Sequence, residues 1–185
     1  MPHLKSLLIL LAVCMLLVAC SRSHSQRCVS LPGGVEYCLQ SSTQVAPFTQ
    51  QQSVTVYFKQ VQETMLTSVE VDSAGVRMVL LSPLGQTLAS VNMPNEGEPQ
   101  IEQQGKNWDA KWLLALLQVT RWPAAQVQAG LGKKGELYES AMQRDIMLNG
   151  RPIMHVNFHE AEDPYRKFTV RFPMMEMRLD IESLE

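Results

Sequence analysis

Apolar side chains recur at every second position in much of the chain after residue 53. In residues 54–58 and 69–72 they alternate with polar or charged side chains, and Ser73-Ala74-Gly75 then provides a turn. A period of two with short turns predicts antiparallel strands. Asn149-Gly150 adds a strong hairpin signal. We predict strands at residues 54–58, 69–71, 76–80, 86–93, 144–148, 152–158, 168–172 and 175–181.

A single region departs from this alternation. Leu113, Leu116 and Leu117 recur at helical spacing. A cap at Asn107 or Asp109 would begin the helix, which is predicted to run to about residue 119 and to stop before Trp122-Pro123. A second short helix is predicted at residues 124–131. Residues 40–52, which are rich in Gln, Ser and Thr, are predicted to be mainly loop.

The order of elements is strands, a helical insertion and more strands, so the predicted fold class is α+β with a largely antiparallel sheet. One helical segment covers little of a sheet with six or more strands. We therefore predict a curved half-barrel, with the helices as a short lid over an apolar cavity.

Alternation also predicts which side chains line that cavity. A register error of one residue would reverse each strand's faces. Methionine suits a cavity for chains of varied shape, although it is equally common as core filler. The predicted lining residues are Val56, Phe58, Val71, Met78, Leu80, Leu116, Met154, Phe168, Phe172, Met177 and Leu179.

The N-terminus predicts export. Residues 7–18 are almost entirely apolar, but the run is too short for a comfortable transmembrane helix. Its end, Leu17-Val18-Ala19-Cys20, resembles the lipobox of bacterial lipoproteins. This implies a signal peptide at residues 1–19, acylation of Cys20 and a tether at residues 20–27, with Ser21 directing the protein to the outer membrane. The alternatives are an ordinary signal peptide and an uncleaved anchor.

Composition restricts the remaining possibilities. The net charge is −2, from 16 basic and 18 acidic residues, and the chain has no basic cluster. This argues against nucleic-acid binding. Residues 28–185 are long enough for one domain. A monomer is the default expectation, because no segment is typical of self-association.

Two cysteines follow the proposed lipidation site. Cys28 and Cys38 flank a Leu31-Pro32-Gly33-Gly34 turn, so a hairpin would bring them together. We predict a structural disulfide, which suits the oxidising periplasm. A redox pair is the alternative, as is a metal site, although two thiols supply only half of a tetrahedral zinc site.

The sequence contains no recognisable catalytic constellation, so we predict a protein that is not an enzyme and that has no metal or cofactor. His155 and His159 lie beside an acidic loop and are predicted to be surface residues. A hydrolase would need one of them next to a nucleophile. Three arginines lie in predicted strands and could contact a cargo head group, although solvated charges on the strand faces are the plainer alternative. They are Arg77, Arg144 and Arg171.

From Leu80-Leu81-Ser82-Pro83-Leu84-Gly85 onward the chain resembles the LolA/LolB-like family of outer-membrane lipoprotein receptors. The order of the motifs matches from about residue 54 to residue 181. The resemblance implies an eleven-stranded half-barrel, a helical lid and a cavity for acyl chains. It also implies that Leu84 protrudes as a membrane hook, whereas a tip folded back on its own strand is the plainer alternative.

The chain looks closest to LolB-like lipoproteins encoded with aryl-polyene biosynthesis genes. The expected function is therefore acceptance or chaperoning of an apolar acylated cargo, a lipoprotein or an aryl-polyene lipid, passed on by a periplasmic carrier. The alternative is an assembly or scaffolding lipoprotein that binds protein partners without a lipid cargo.

Overall fold

The computed structural model describes residues 27–104 and 109–184 of the chain. Seven strands come first, two α-helices follow, and five more strands complete the order. The strands are β1 (Cys28–Ser30), β2 (Glu36–Cys38), β3 (Phe48–Phe58), β4 (Val61–Val71), β5 (Gly75–Leu81), β6 (Thr87–Pro94), β7 (Gln100–Gln103), β8 (Gly135–Ser140), β9 (Gln143–Leu148), β10 (Arg151–Phe158), β11 (Lys167–Phe172) and β12 (Met177–Ser183). The helices are α1 (Ala110–Arg121) and α2 (Ala124–Leu131).

Ten of the strands form one antiparallel sheet. Its order is β7-β6-β5-β4-β3-β12-β11-β10-β9-β8, and β1 pairs with β2 in a separate hairpin. The sheet is not closed, because β7 and β8 are both edges. The predicted α+β class and the antiparallel pairing are confirmed. The described sheet has ten strands rather than the eleven that the family resemblance implied.

The segments in which apolar and polar residues alternate are strands. The observed strands differ from the predicted ones where the sequence does not alternate. Gln100–Gln103 and Gly135–Ser140 are edge strands that the sequence did not reveal, because neither has an apolar face. β3 begins at Phe48, within the stretch predicted to be loop, and pairs with β4 over its whole length. Pro173–Met175 forms a 3-10 turn, so the last strand begins at Met177 and not at Met175.

The helix predictions are confirmed. Asp109 caps α1, its carboxylate accepting from the backbone N–H groups of Lys111 and Trp112. Nine of the twelve residues of α1 are buried. A helix that is apolar around its whole circumference must be enclosed on all sides. The sheet encloses α1 on one side, and the β1–β2 hairpin packs on it as well.

Polar contacts hold the hairpin segment on α1. The buried Gln118 carboxamide accepts from the Gln40 N–H at 2.7 Å and donates to the Gln40 carbonyl at 2.9 Å. It also accepts from the Tyr37 hydroxyl, and the Trp122 indole donates to the Ser41 carbonyl. At Gly130 of α2, any added Cβ would lie 2.5 Å from the Tyr37 ring, so glycine is required for this packing.

The strand registers define two ends of the sheet. The β3–β4, β5–β6 and β9–β10 turns share one end, which we call the tip end. The opposite end, the loop end, holds the β4–β5 turn and residues 159–166. The chain enters at the loop end, where the Arg27 guanidinium donates to the carbonyls of Asn95 and Gly97. Arg27, predicted to end the tether, is thus part of the folded domain.

The apolar core is one contiguous cluster built from the sheet, both helices and the hairpin. The folding unit that begins at Arg27 therefore contains its own core. We expect residues 27–185 to fold without the first 26 residues.

Arg144 is neither of the two things that its place in a predicted strand suggested, a contact for a cargo head group or a solvated charge. Its side chain is buried, and its Nη1 donates to the carbonyls of Val119 at 3.0 Å and Trp122 at 2.8 Å. Its Nε donates to Glu139 at 2.5 Å. The guanidinium thus satisfies carbonyls that the end of α1 leaves free, where the helix dipole favours a cation.

We expect Arg144→Met to lower the free energy of unfolding by about 2–4 kcal/mol, because it leaves buried carbonyls without donors. Urea denaturation of residues 27–185 measures this. Arg151→Met, at the exposed start of β10, is the control and should change stability by less than about 0.5 kcal/mol. Equal effects of the two substitutions would contradict the capping role.

Burial raises the pKa of Tyr37 well above its ordinary value of 10, with Arg144 opposing the shift. The folded state therefore retains this proton when the unfolded state loses it. Stability should be unaffected by Tyr37 below pH 10 and should fall as the pH rises above 10. We expect the wild-type domain to lose about 1–1.5 kcal/mol more than Tyr37→Phe between pH 9 and pH 11. Parallel denaturation profiles for the two proteins would show that the Tyr37 hydroxyl is not buried.

Candidate functional site

The β5–β6 turn presents Leu84 to solvent. The Ser82 carbonyl accepts from the Gly85 N–H at 2.9 Å, and the Ser82 N–H donates to the Gln86 carbonyl at 2.8 Å. Gly85 has a φ of +80°, which favours glycine. Leu84 is 88% exposed, so the tip does not fold back on its own strand. A leucine held out on a hydrogen-bonded turn can enter an apolar phase without reorganising the chain.

Exposed apolar side chains concentrate at the tip end. Six large apolar residues are exposed in the part of the chain that the structure describes. Four of them, Val61, Leu84, Met174 and Met175, lie at the tip end. They come from three separate connections of the sheet, so they project as separate points and do not form a groove.

The interior between the sheet and α1 is nearly full. One gap of about 40 Å³ remains there, whereas ligand pockets usually measure about 300–1,000 Å³. Its walls come from β3, β4, β5, β11, β12 and α1. The lining residues are Gln52, Val54, Thr67, Val69, Met78, Leu113, Leu116, Leu117, Thr120, Arg121, Phe168 and Ile181.

The structure places the eleven predicted lining residues on the inner side or at the rim of the sheet. Met78, Leu116 and Phe168 line the gap. Phe58 and Met177 are half-buried and pair with each other across β3 and β12 at the tip end. The other six are packed in the core away from the gap, namely Val56, Val71, Leu80, Met154, Phe172 and Leu179. Side chains of α1 occupy most of the space that was predicted to be a cavity.

Arg121 closes this gap at the loop end. Its guanidinium lies between the rings of Phe48 and Tyr165, with Cζ 4.3 Å and 4.0 Å from the two ring centroids. Its Nη2 donates to Gln50, whose amide group donates in turn to the Tyr165 carbonyl. Burial lowers the pKa of Arg121 from its ordinary value. The last turn of α1 is thereby joined to β3 and to residues 159–166.

A larger depression lies elsewhere. An open groove of about 870 Å³ separates the hairpin from the end of α2. Its walls include Gly34, Gly130 and Gly132, and its charged residues are Arg27 and Glu36 at the hairpin and Lys133 and Lys134 after α2. No local sequence pattern predicts this groove, because it forms between segments nearly 100 residues apart.

The predicted disulfide is confirmed. Cys28 and Cys38 face each other across the hairpin and are bonded. Together with Glu36 they form the one cluster of potential metal ligands in residues 27–104 and 109–184. Bonded sulfurs are not thiolates, so this cluster does not offer a zinc site while the disulfide is intact.

The two histidines have separate partners. His155 Nδ1 lies 2.8 Å from Asp145, and His159 Nε2 lies 2.9 Å from the Thr169 hydroxyl. The Thr169 hydroxyl donates to Asp180, so it is not poised as a nucleophile for His159. Arg77 forms exposed ion pairs with two carboxylates of its own hairpin, those of Glu70 and Asp72.

Known protein families provide one match. Residues 49–185, about three-quarters of the chain, match a family described as a protein of unknown function (DUF3261). The chain belongs to this family. The DUF3261 match covers both helices and all but one residue of the ten-stranded sheet, but not the disulfide hairpin. A search of curated proteins found no match.

The match carries no LolA/LolB assignment, so that resemblance stays a prediction. Cys20 and Ser21 lie outside the described residues. Within residues 27–104 and 109–184, no helix is long and apolar enough to cross a membrane.

Proposed function

We propose that the protein is an outer-membrane-anchored periplasmic lipoprotein that accepts or chaperones an apolar acylated cargo. The observation that carries the proposal is the exposure of Leu84 on a hydrogen-bonded turn. Burying such a side chain in lipid contributes about 1.5–3 kcal/mol. The other exposed apolar residues of the tip end would add to this contact. The proposed activity is non-enzymatic and uses no cofactor.

The proposed cargo site lies between the curved sheet and the cover formed by α1, α2 and the hairpin. Its walls are apolar, and Met78 and Met93 add flexible side chains. The gap of about 40 Å³ is too small for an acyl chain. Cargo binding therefore requires α1 to move away from the sheet, which makes α1 and its cover the lid of a half-barrel. An aryl-polyene lipid and a lipoprotein acyl chain are both compatible with these walls.

The proposed anchor restricts how the domain meets the membrane. Cys20 precedes Arg27 by seven residues, which reach at most about 25 Å. Arg27 is fixed at the loop end, and the eight residues of β6 alone separate the two ends by about 26 Å. The domain can thus bring Leu84 to the membrane that holds its anchor by lying along the membrane surface. If the tip end pointed straight at the membrane, the tether would have to be almost fully extended. We infer a single anchored copy handing cargo from a carrier to the bilayer beside it.

A second candidate is an assembly lipoprotein that binds a protein partner along β8. Tyr138 of this edge strand is exposed. The Gln128 carboxamide donates to the Gly135 carbonyl and accepts from the Leu137 N–H, both at 2.9 Å. The Gln128 side chain therefore hydrogen-bonds only the first part of the β8 edge, and Glu139 lies beyond its reach. A free edge of this kind is suited to strand addition by another chain.

Vesicle binding tests the leading proposal. Residues 27–185 should cosediment with vesicles of phosphatidylethanolamine and phosphatidylglycerol, and Leu84→Glu should weaken the partition at least tenfold by the loss of apolar burial. Leu184→Glu is the matched control, because Leu184 is also exposed but lies at the loop end.

We expect the control to bind like the wild-type domain. If both leucine variants weaken binding equally, the effect is one of added charge and Leu84 has no special role. If a protein partner copurifies in equal amount and no lipid is bound, the β8 proposal is favoured instead.

A further inference from the structure

Arg121 carries a half-buried charge that forms no ion pair, although Asp163 is near enough to raise its pKa. Its guanidinium has aromatic rings on both faces, and no carboxylate of the described residues lies within ion-pair distance of it. Gln50 is neutral and satisfies one of its N–H groups. A partly desolvated arginine of this kind usually binds an anion, because desolvation strengthens its attraction to a carboxylate or phosphate.

A second observation points to the same place. The structure describes five buried side-chain polar atoms that have no hydrogen-bond partner. Two of them, Nε of Arg121 and Oγ1 of Thr67, belong to residues that line the gap between α1 and the sheet. Buried polar atoms are nearly always paired, so two unpaired ones at one gap are exceptional. Both atoms can donate to an oxygen anion.

The rest of the gap is apolar. Leu113, Leu116 and Leu117 line it from the helix. Because α1 runs from the tip end to the loop end, Arg121 lies at the loop-end mouth and the leucines lead inward along the helix. Thr67 lies two residues further in than Val69 along β4, at the level of Gln52. Leu113 is eight residues before Arg121, a rise of about 12 Å.

We propose that this gap is the closed mouth of a binding site for an amphiphile with one apolar chain and an anionic head group. Arg121 and Thr67 bind the head, and the chain extends between α1 and the sheet toward the tip end. This rests on the proposed function and adds the polarity of the cargo and its direction in the site. The head group is defined by its chemistry, a carboxylate or a phosphate ester.

The same contacts explain how the site is shut. The guanidinium joins the end of α1 to Phe48 of β3 and to Tyr165 of the 159–166 loop. An anion would compete with Gln50 for the N–H groups and would release this connection. Tyr165 also packs edge-on against Phe158, so the loop is seated on the apolar core. Ligand binding is thereby coupled to movement of this loop.

Three ligands of equal chain length test the proposal, namely palmitate, hexadecyl phosphate and hexadecanol. Binding to residues 27–185 is followed by native mass spectrometry and by displacement of a fluorescent fatty acid. We expect at least one of the two anions to bind tenfold or more tightly than hexadecanol. The anion that does so identifies the head group.

Arg121→Gln should remove this preference, so that palmitate, hexadecyl phosphate and hexadecanol bind with similar affinities. Arg151→Gln, an exposed arginine at the tip end, is the control and should keep the preference. Thr67→Val should weaken anion binding severalfold without lowering Tm, because the hydroxyl has no partner to lose. A fall in Tm would show that the hydroxyl is already paired and would count against the site.

The outcomes separate this inference from the proposed function. Equal binding of all three ligands by the wild-type domain, or an unchanged preference in Arg121→Gln, overturns the anion site and leaves an apolar cargo site standing. If no ligand binds at all, the cargo function fails and this inference fails with it.

Discussion

The structure depends on enclosing one apolar helix. Nine of the twelve residues of α1 are buried, and they include Leu114, Ala115 and Val119 as well as the polar Gln118 and Thr120. An antiparallel sheet can cover only one side of such a helix. The hairpin packs on another side of α1, where the disulfide and the Gln118 contacts hold it, and α2 packs on β2 and β8. The buried Arg144 completes the enclosure by satisfying the carbonyls at the end of the helix.

This enclosure determines where a cargo can bind. The helix packs against one face of the sheet, so a chain can enter there only by separating α1 from strands that it already contacts. The weakest part of that contact is the gap whose mouth Arg121 closes, where polar atoms are buried without partners. The opposite end of the sheet carries the exposed Leu84. The molecule thus has a polar closure at one end and an apolar contact surface at the other.

The sequence predicts the elements that are determined by patterns of neighbouring residues. Alternation indicated eight of the ten strands of the sheet, although only the last part of β4. Helical spacing located α1, the following glycines bounded α2, and the Leu-Pro-Gly-Gly turn located the hairpin and its disulfide. β7 and β8 were missed because an edge strand can form by backbone pairing alone. The roles of Arg121 and Arg144 depend on partners 22 to 73 residues away, so no local pattern could show them. The apolar cavity stays a prediction, since a gap of about 40 Å³ lies between α1 and the sheet.

The most direct test of the cargo site is the titration of residues 27–185 with cis-parinaric acid, a polyene fatty acid that fluoresces in apolar surroundings. Amide hydrogen exchange of α1 is measured in the same samples. The account predicts saturable one-to-one binding with faster exchange in the 159–166 loop and changed protection in α1. Fluorescence that never saturates, with unchanged exchange in both segments, would contradict it and would show that the barrel is filled permanently by its own helix.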